Sequence, residues 1–353
     1  MTELERMLAD SAERLFAGTS SLADTERMEQ GQWPAQLWSA LEQNGLIRLF
    51  VGEAEGGASA TWAEGLPVLL AAARNLLPVP FIDTAVCAGL LSRLGLPVPD
   101  GPIALGLSRG GEVVAAGNSP TLSGSLTVPW GRYASHVLVR TTMAHDQQPL
   151  WVLVPANLAA IDTDANIAGE ARDRLRFDDA APTHWAAADP LPSMRCPDAL
   201  GALLSAIRIA GTLERVLDQT VAYAGERTQF GRPIAKFQAI QQQLAVLANA
   251  VVAARMATAA ACAALPQPDW VWRAMAAKVI CGRAAGQAAA IAHQVHGAIG
   301  FTYEHSLHFC TRRLWSWRAE YGSETHWAQQ LGKHAIVHGG DALWNFVTDR
   351  KSL

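Results

Sequence analysis

"GERTQFGRPIAKFQAIQQQLA", residues 225–245, gathers hydrogen-bonding side chains at one point of a chain otherwise rich in alanine and leucine. A helix is expected to end near Gly225. Gly231 and Pro233 then break the helical hydrogen-bond ladder and let the chain reverse. A second helix is expected to begin near Lys236, with Phe237, Ile240, Leu244, Leu247 and Val251 along one face. At the break, Arg227 offers a planar guanidinium with five donors, suited to a diphosphate. Thr228 and Gln229 add neutral hydrogen bonds, and Phe230 a surface for packing on a ring. The same residue types also suit an ordinary turn between helices in which the arginine caps a helix C-terminus, and by themselves they leave the two readings level.

Outward from this junction the chain falls into three textures. Residues 1–100 read as an N-terminal helical domain, with Leu37, Leu41, Leu46 and "GLPVLLAAARNLL" at helical spacing. Residues 101–192 hold short runs such as "EVVAAG", "TLSGSLTV", "SHVLVR" and "LWVLVP" between Gly, Ser, Pro and Asn, and read as a middle β-domain, a barrel or sandwich. Residues 193–353 return to a 3.6 period and read as a C-terminal four-helix bundle, with Trp272, Met275, Val279, Gly282 and Gly286 expected to line one of its helices. The fold class is thus α+β multidomain. So much Ala and Gly in "RAMAAKVICGRAAGQAAAIA" lets helix axes approach closely, within or between subunits, and an oligomer is expected.

Composition narrows the function classes. With 50% hydrophobic and 17% charged residues over 353 positions, the chain can bury a large core. The net charge of −4, without a basic run, disfavours nucleic acid as a partner. Cys87, Cys196, Cys262, Cys281 and Cys310 are scattered and without CxxC spacing, which points to a reducing compartment and away from a disulfide framework. The acidic, amphipathic N-terminus and the lack of eighteen uninterrupted apolar residues support neither export nor membrane spanning, so a cytoplasmic location is expected. His293, His296, His305 and His308 are spaced loosely like metal ligands, but no HExxH-type motif accompanies them, and no metal is expected. Neither a Walker loop nor a GxGxxG after a strand is present.

The junction motif, E-R-x-Q-F-G-x-P-I-x-x-F-Q-x-x-Q at 226–241, closely resembles the flavin-binding signature of the acyl-CoA dehydrogenases, with every fixed position filled. The resemblance extends over nearly the whole chain. "LWSALEQNGLIRLFVGEAEGGASATWAEGLPVLLAAARNLLPVPF" is similar to the family's N-terminal helical domain. "LSGSLTVPWGRYASHVLVR" is similar to its middle β-domain, and "QVHGAIGFTYEHSLHFCTRR" to the segment that reaches FAD bound mainly by a neighbouring subunit. The resemblance implies FAD as cofactor, with Arg227 on its pyrophosphate, Gln229 and Phe230 beside it, and Gln238 supporting the loop. Gln294, Gly297 and Gly300 would approach the adenosine end, where glycine permits close backbone contact. Val128, Pro129 and Trp130 are the candidates for a wall on the flavin side. His296 reads as a polar neighbour of the cofactor or of an interface.

The resemblance also implies α,β-desaturation of an acyl-CoA, which needs a carboxylate base of adjustable pKa. In most members that base is the Glu of a Tyr-Glu-Gly-Thr turn. Here "RRLWSWRAEYGSETHW" puts Tyr321 at that position and Glu320 one residue earlier. A phenol, with a reference pKa of ~10, is a poor base at neutral pH. A minority branch carries its Glu on the helix before the flavin signature, and counting back lands on Gly201 beside Ala202. Three readings stay open. Glu320 is displaced by one position, about 100° around a helix, and serves as base. Alternatively, the chain is the base-lacking subunit of a heteromeric enzyme of the kind that acts on sterol or bile-acid side-chain thioesters. In the third, it is a non-enzymatic FAD- or acyl-CoA-binding protein. The implied partners are an acyl-CoA, electron-transferring flavoprotein as acceptor (or O₂ if the protein is an oxidase), and further subunits in a homo- or hetero-oligomeric dimer of dimers.

Overall fold

The computed structural model describes residues 3–339 other than 109–111, 118, 146–147, 193, 195 and 266. The end of the expected bundle, residues 340–353, lies outside them. Helices α1 (Glu3–Thr19), α2 (Leu22–Glu29), α3 (Ala35–Gln43), α4 (Trp62–Arg74) and α5 (Phe81–Arg93) precede eight strands, and five further helices follow. Strands begin at Ile103 and the second helical run at Asp198, close to the boundaries read at 100/101 and 192/193. The chain forms two compact units that cut across those boundaries. One is Met1–Gly65 with Leu77–Pro197, and the other is Leu66–Leu76 with Asp198–Leu353.

In the first unit, β1 (Ile103–Leu107), β2 (Val113–Ala116), β3 (Thr121–Pro129), β4 (His136–Met143), β5 (Pro149–Pro155), β6 (Ala160–Asp162), β7 (Arg172–Ala180) and β8 (His184–Ala186) make one sheet. Its order is β6-β7-β3-β2-β4-β5-β8, with β1 pairing parallel to β4. Alternation decides which side chains enter its core, because successive residues of a strand face opposite ways. Along β7, Asp173, Leu175 and Phe177 are buried while Arg174, Arg176 and Asp178 are exposed. Leu126, Val128, Val139 and Val152 meet Leu175 and Phe177 inside.

This alternation sends one carboxylate inward. Asp173, fully buried, accepts hydrogen bonds from the Arg132 backbone N–H (2.7 Å), from Arg132 Nε (2.8 Å) and from the Asp164 backbone N–H (3.3 Å). Its partner's guanidinium is held above its usual pKa, chiefly by the hydrogen bond it donates to that carboxylate. The clamp fixes the short turn Gly131–Tyr133 that follows Trp130, whose backbone is left-handed at φ 62°. Deleting this buried carboxylate leaves the Arg132 and Asp164 N–H groups without their acceptor, at a cost of about 1–3 kcal/mol. Asp173→Ala is therefore expected to lower the denaturant midpoint of this unit sharply, whereas Arg174→Ala, exposed one residue along, leaves it nearly unchanged.

The second unit is built on α6 (Asp198–Glu226), α7 (Gln238–Ala264), α8 (Trp270–His296) and α9 (Leu307–Ala319), with α10 (Glu324–His338) against α8. Gly211 of α6 lies so near α4 that a Cβ there would come 2.4 Å from the Leu70 carbonyl oxygen, and Thr212 Oγ1 donates to the Ala73 carbonyl at 3.1 Å. This close approach ties Leu66–Leu76 to the bundle. On α7, Leu247 and Val251 are buried as the periodicity expects, while Phe237, Ile240 and Leu244 are half-buried. On α8 the fully buried stripe is Trp270, Ala274, Ala277, Cys281 and Ala288. Trp272, Met275 and Gly286 of the expected stripe are only half-buried. The reason is room, since α8 packs against α6, α7, α9 and α10, and small side chains take the crowded face.

By length and composition α7 alone among the described helices could cross a membrane, and a third of its most apolar window is buried in the unit. Its outer face carries exposed Val246, Val252 and Met256. No disulfide joins any of the five cysteines, all of which are described residues.

Candidate functional site

The junction that opens the sequence is a small hairpin between α6 and α7. Strands Thr228–Gln229 and Arg232–Pro233 pair antiparallel around Phe230 (φ 52°) and Gly231 (φ 78°). Two consecutive positive-φ residues are what a two-residue hairpin loop of this twist requires, and Gly231 meets that at no steric cost. The Arg227 N–H donates to the Tyr223 carbonyl (2.8 Å), and the Ile234 N–H to the Arg227 carbonyl (2.8 Å), so the backbone at Arg227 is locked on both sides.

Side chains leave this frame outward. Arg227, Thr228, Gln229 and Gln238 are exposed, and Phe230 is 91% exposed. No described residue pairs with the Arg227 guanidinium. Arg232 lies 4.3 Å over the Phe237 ring, and Phe230 meets that ring edge-on at 6.1 Å. No side chain of the described residues plugs the hairpin. An unpaired guanidinium, an amide and a bare aromatic ring on a rigid hairpin fit an anionic group linked to a flat ring system, as in a dinucleotide.

The second segment lies at the far end of α8. Gln294 and Gly297 border a cavity of about 510 Å³ together with Ala290, His293, Phe301 and Trp315. His293 and Phe301 stack at 4.3 Å on its wall. Gly297 has φ 66°, and a Cβ there would meet nothing within 4 Å, so the backbone at this point is open to a ligand. Gly300 differs. It is buried, and a Cβ would come 2.9 Å from that of His296, so its lack of a side chain serves helix packing.

Tyr223 joins the two segments. Its carbonyl receives the Arg227 N–H, its hydroxyl donates to the His296 carbonyl at 3.2 Å, and its ring stacks on His296 at 4.4 Å. Sequence reading did not single it out. Its only signal was lying four residues before Arg227, one helical turn away. His296 is 3% exposed, holds its Nδ1 2.7 Å from the Ala292 carbonyl, and is pushed by burial below the usual histidine pKa. It is a packed neighbour of this corner. Among the described residues no group of three or more His, Cys, Asp or Glu is arranged to hold a metal.

In the other unit, Val128 is fully buried in the sheet core, so any wall there would use its backbone. Trp130 is 5% exposed among Met28 and Ala171, with Trp33 and Tyr133 packed on them.

The two expected base positions meet. A Cβ built on Gly201 of α6 would stand 2.3 Å from Cδ1 and 2.4 Å from Cγ of Tyr321, so the Tyr321 ring occupies the space a side chain at 201 would need. Tyr321 itself has a left-handed backbone (φ 52°), followed by Gly322 (φ 92°). Glu320, half-buried, ends α9 at its C-cap, and it is Tyr321 that reaches α6. A side chain at 201 and the Tyr321 ring cannot share this space.

Comparison with known proteins adds the lineage. The family model for the acyl-CoA dehydrogenase C-terminal domain matches residues 199–334. Acyl-CoA dehydrogenase IpdE2 of Mycobacterium tuberculosis is 31% identical over 316 residues, covering 88% of this chain and 91% of its own length. Among solved structures, the ChsE4-ChsE5 complex of Mycobacterium tuberculosis superposes with a TM-score of 0.85 at 22% identity, over 96% of this chain and 98% of that one. A variant of the Tcur3481-Tcur3483 steroid ACAD gives 0.83 at 24% identity, again over 96% and 98%.

Proposed function

The chain belongs to the acyl-CoA dehydrogenase family, and from that premise we propose that it binds FAD and takes part in α,β-desaturation of an acyl-CoA thioester as the base-lacking half of a heteromeric enzyme. Bound FAD supplies the acceptor for the hydride that leaves the β-carbon. Arg227 would neutralise the diphosphate, Gln229 would hydrogen-bond beside it and Phe230 would cover a ring, with Gln238 supporting the loop. Gln294 and Gly297 receive the adenosine end of a cofactor held by a neighbouring copy or sister chain. The outward-facing Val246, Val252 and Met256 of α7 supply apolar surface for that assembly.

The observation that carries the heteromeric reading is the contact of Tyr321 with Gly201. Proton abstraction from carbon needs a carboxylate aimed at the substrate, and here both places where one is expected are taken up by a ring and a hydrogen. A sister chain then provides the base in its own half-site, while this chain contributes cofactor-binding surface. Two solved relatives support the assignment, one described as a two-component complex and the other as a steroid ACAD. On that ground the substrate class we propose is a thioester of a sterol-type side chain, while electron-transferring flavoprotein as acceptor follows from the family resemblance alone. The test is co-production with candidate sister chains followed by addition of acyl-CoAs. The pair is expected to carry flavin that bleaches, and the chain alone flavin that does not. Bleaching in the chain alone, abolished by Glu320→Gln, would hand the base role to Glu320.

A further inference from the structure

Among the described residues Lys278 is the one buried lysine, with 0% exposure in the middle of α8. A cation taken wholly out of water is costly unless fixed acceptors receive it. Here they are backbone oxygens of one turn. Its Nζ donates to the Trp317 carbonyl and, at 2.8 Å, to the Glu320 carbonyl. Both belong to the C-terminal end of α9, where the helix leaves its last carbonyls without partners in the helix itself. Tyr321 follows immediately.

We propose that Lys278 is a positioning residue for the turn Glu320–Gly322, bridging α8 to the end of α9 so that the Tyr321 ring is held against Gly201. The other restraints on this turn act from different sides. Trp327 Nε1 of α10 donates to the Tyr321 carbonyl at 2.8 Å, and Arg318 pairs with Glu324 across it, Nε to Oε1 at 2.9 Å. Lys278 takes the carbonyl of the residue that immediately precedes the ring. The proposal rests on the reading of Tyr321 as occupant of the base position, but it concerns geometry alone and needs neither flavin nor substrate to be tested.

A titration gives a readout that simple packing would not. Burial lowers Lys278 to about 8, opposed by Glu320, Cys281 and Glu324 and reinforced by Arg208. Of the groups facing it, Cys281 is pushed by burial up to about 11, and Glu324 is held below the usual carboxylate range, chiefly by its hydrogen bond from Arg318. Neither titrates near pH 8. As the pH rises through about 8 the ammonium becomes an amine, with two protons in place of three and no charge, and its grip on the two carbonyls slackens.

The chain has four tyrosines, so labelling them with carbon-13 in the ring, which leaves the phenol pKa near its usual ~10, gives four sets of ring lines in an NMR spectrum, with that of Tyr321 identified by its loss in Tyr321→Phe. The Tyr321 line is expected to move with an inflection near pH 8. In Lys278→Met, of similar length but without donors, it should shift or broaden and lose that inflection while the Tyr133 line stays in place. An unchanged Tyr321 line in Lys278→Met would overturn the proposal. If that variant does not fold, the unsubstituted protein still decides, since a Tyr321 line flat between pH 7 and 9 contradicts it.

Discussion

Arg227→Ala is expected to leave the purified protein almost free of flavin. Its guanidinium stands on a hairpin locked at both its own N–H and its own carbonyl, and no described side chain neutralises it. The backbone that carries it is already ordered by the fold, which leaves only the side-chain rotamers to be fixed when an anion binds. Truncating one partner of a desolvated, hydrogen-bonded charge pair costs about 2–5 kcal/mol, roughly 30- to 5,000-fold in affinity. Arg227→Lys keeps the charge but not the planar fork, and is expected to fall between. Arg232→Ala, whose guanidinium lies over Phe237 in the same hairpin, is the control for loop folding, and it should retain most of the flavin. Absorbance of bound flavin per chain checks all three. Equal loading in Arg227→Ala and the unsubstituted protein would separate this residue from the cofactor.

The second large effect is a gain. Tyr321→Glu is expected to give the chain a base of its own and to raise the rate of flavin bleaching by an acyl-CoA by about 10²- to 10⁴-fold, the range a positioned general base contributes. The exchange is feasible because the backbone at 321 is already left-handed with a non-glycine residue, so glutamate meets no new strain of that kind. It also vacates the space beside Gly201. Tyr321→Gln, similar in size and without a carboxylate, should gain nothing. The converse substitution, Gly201→Glu, should fail in the presence of Tyr321, since even its Cβ would overlap that ring. Combining it with Tyr321→Gly should relieve the clash, a strongly non-additive pair.

How far the sequence already contained this account varies from residue to residue. The break between α6 and α7 was legible because Gly231 and Pro233 are local signals whose effect does not depend on the rest of the chain, whereas its closure as a paired hairpin was not read. The strands, too, announce themselves by alternation, as β7 does through Leu175 and Phe177. The buried stripe of α8 was not legible. Trp272 and Met275 have the right spacing, yet which face of an alanine-rich helix goes inward is set by how many neighbours crowd it. Val128 has the composition of a flavin wall, but its inward position follows from strand register, which no single segment specifies. The pairing of Gly201 with Tyr321 spans more than a hundred residues, and neither residue alone hints at the other. Tyr223 and Lys278 were passed over for the same reason, because each acts through contacts made in three dimensions by a residue type that is ordinary on a helix.

The central claim is that the hairpin at 227–233 grips a flavin dinucleotide. The most direct measurement is the visible absorbance of the protein purified with its sister chain, set against that of the same pair carrying Arg227→Ala. The account predicts stoichiometric FAD in the first and near-total loss in the second. Protein that purifies folded and assembled, yet takes up no FAD even when the cofactor is added in excess, would contradict it.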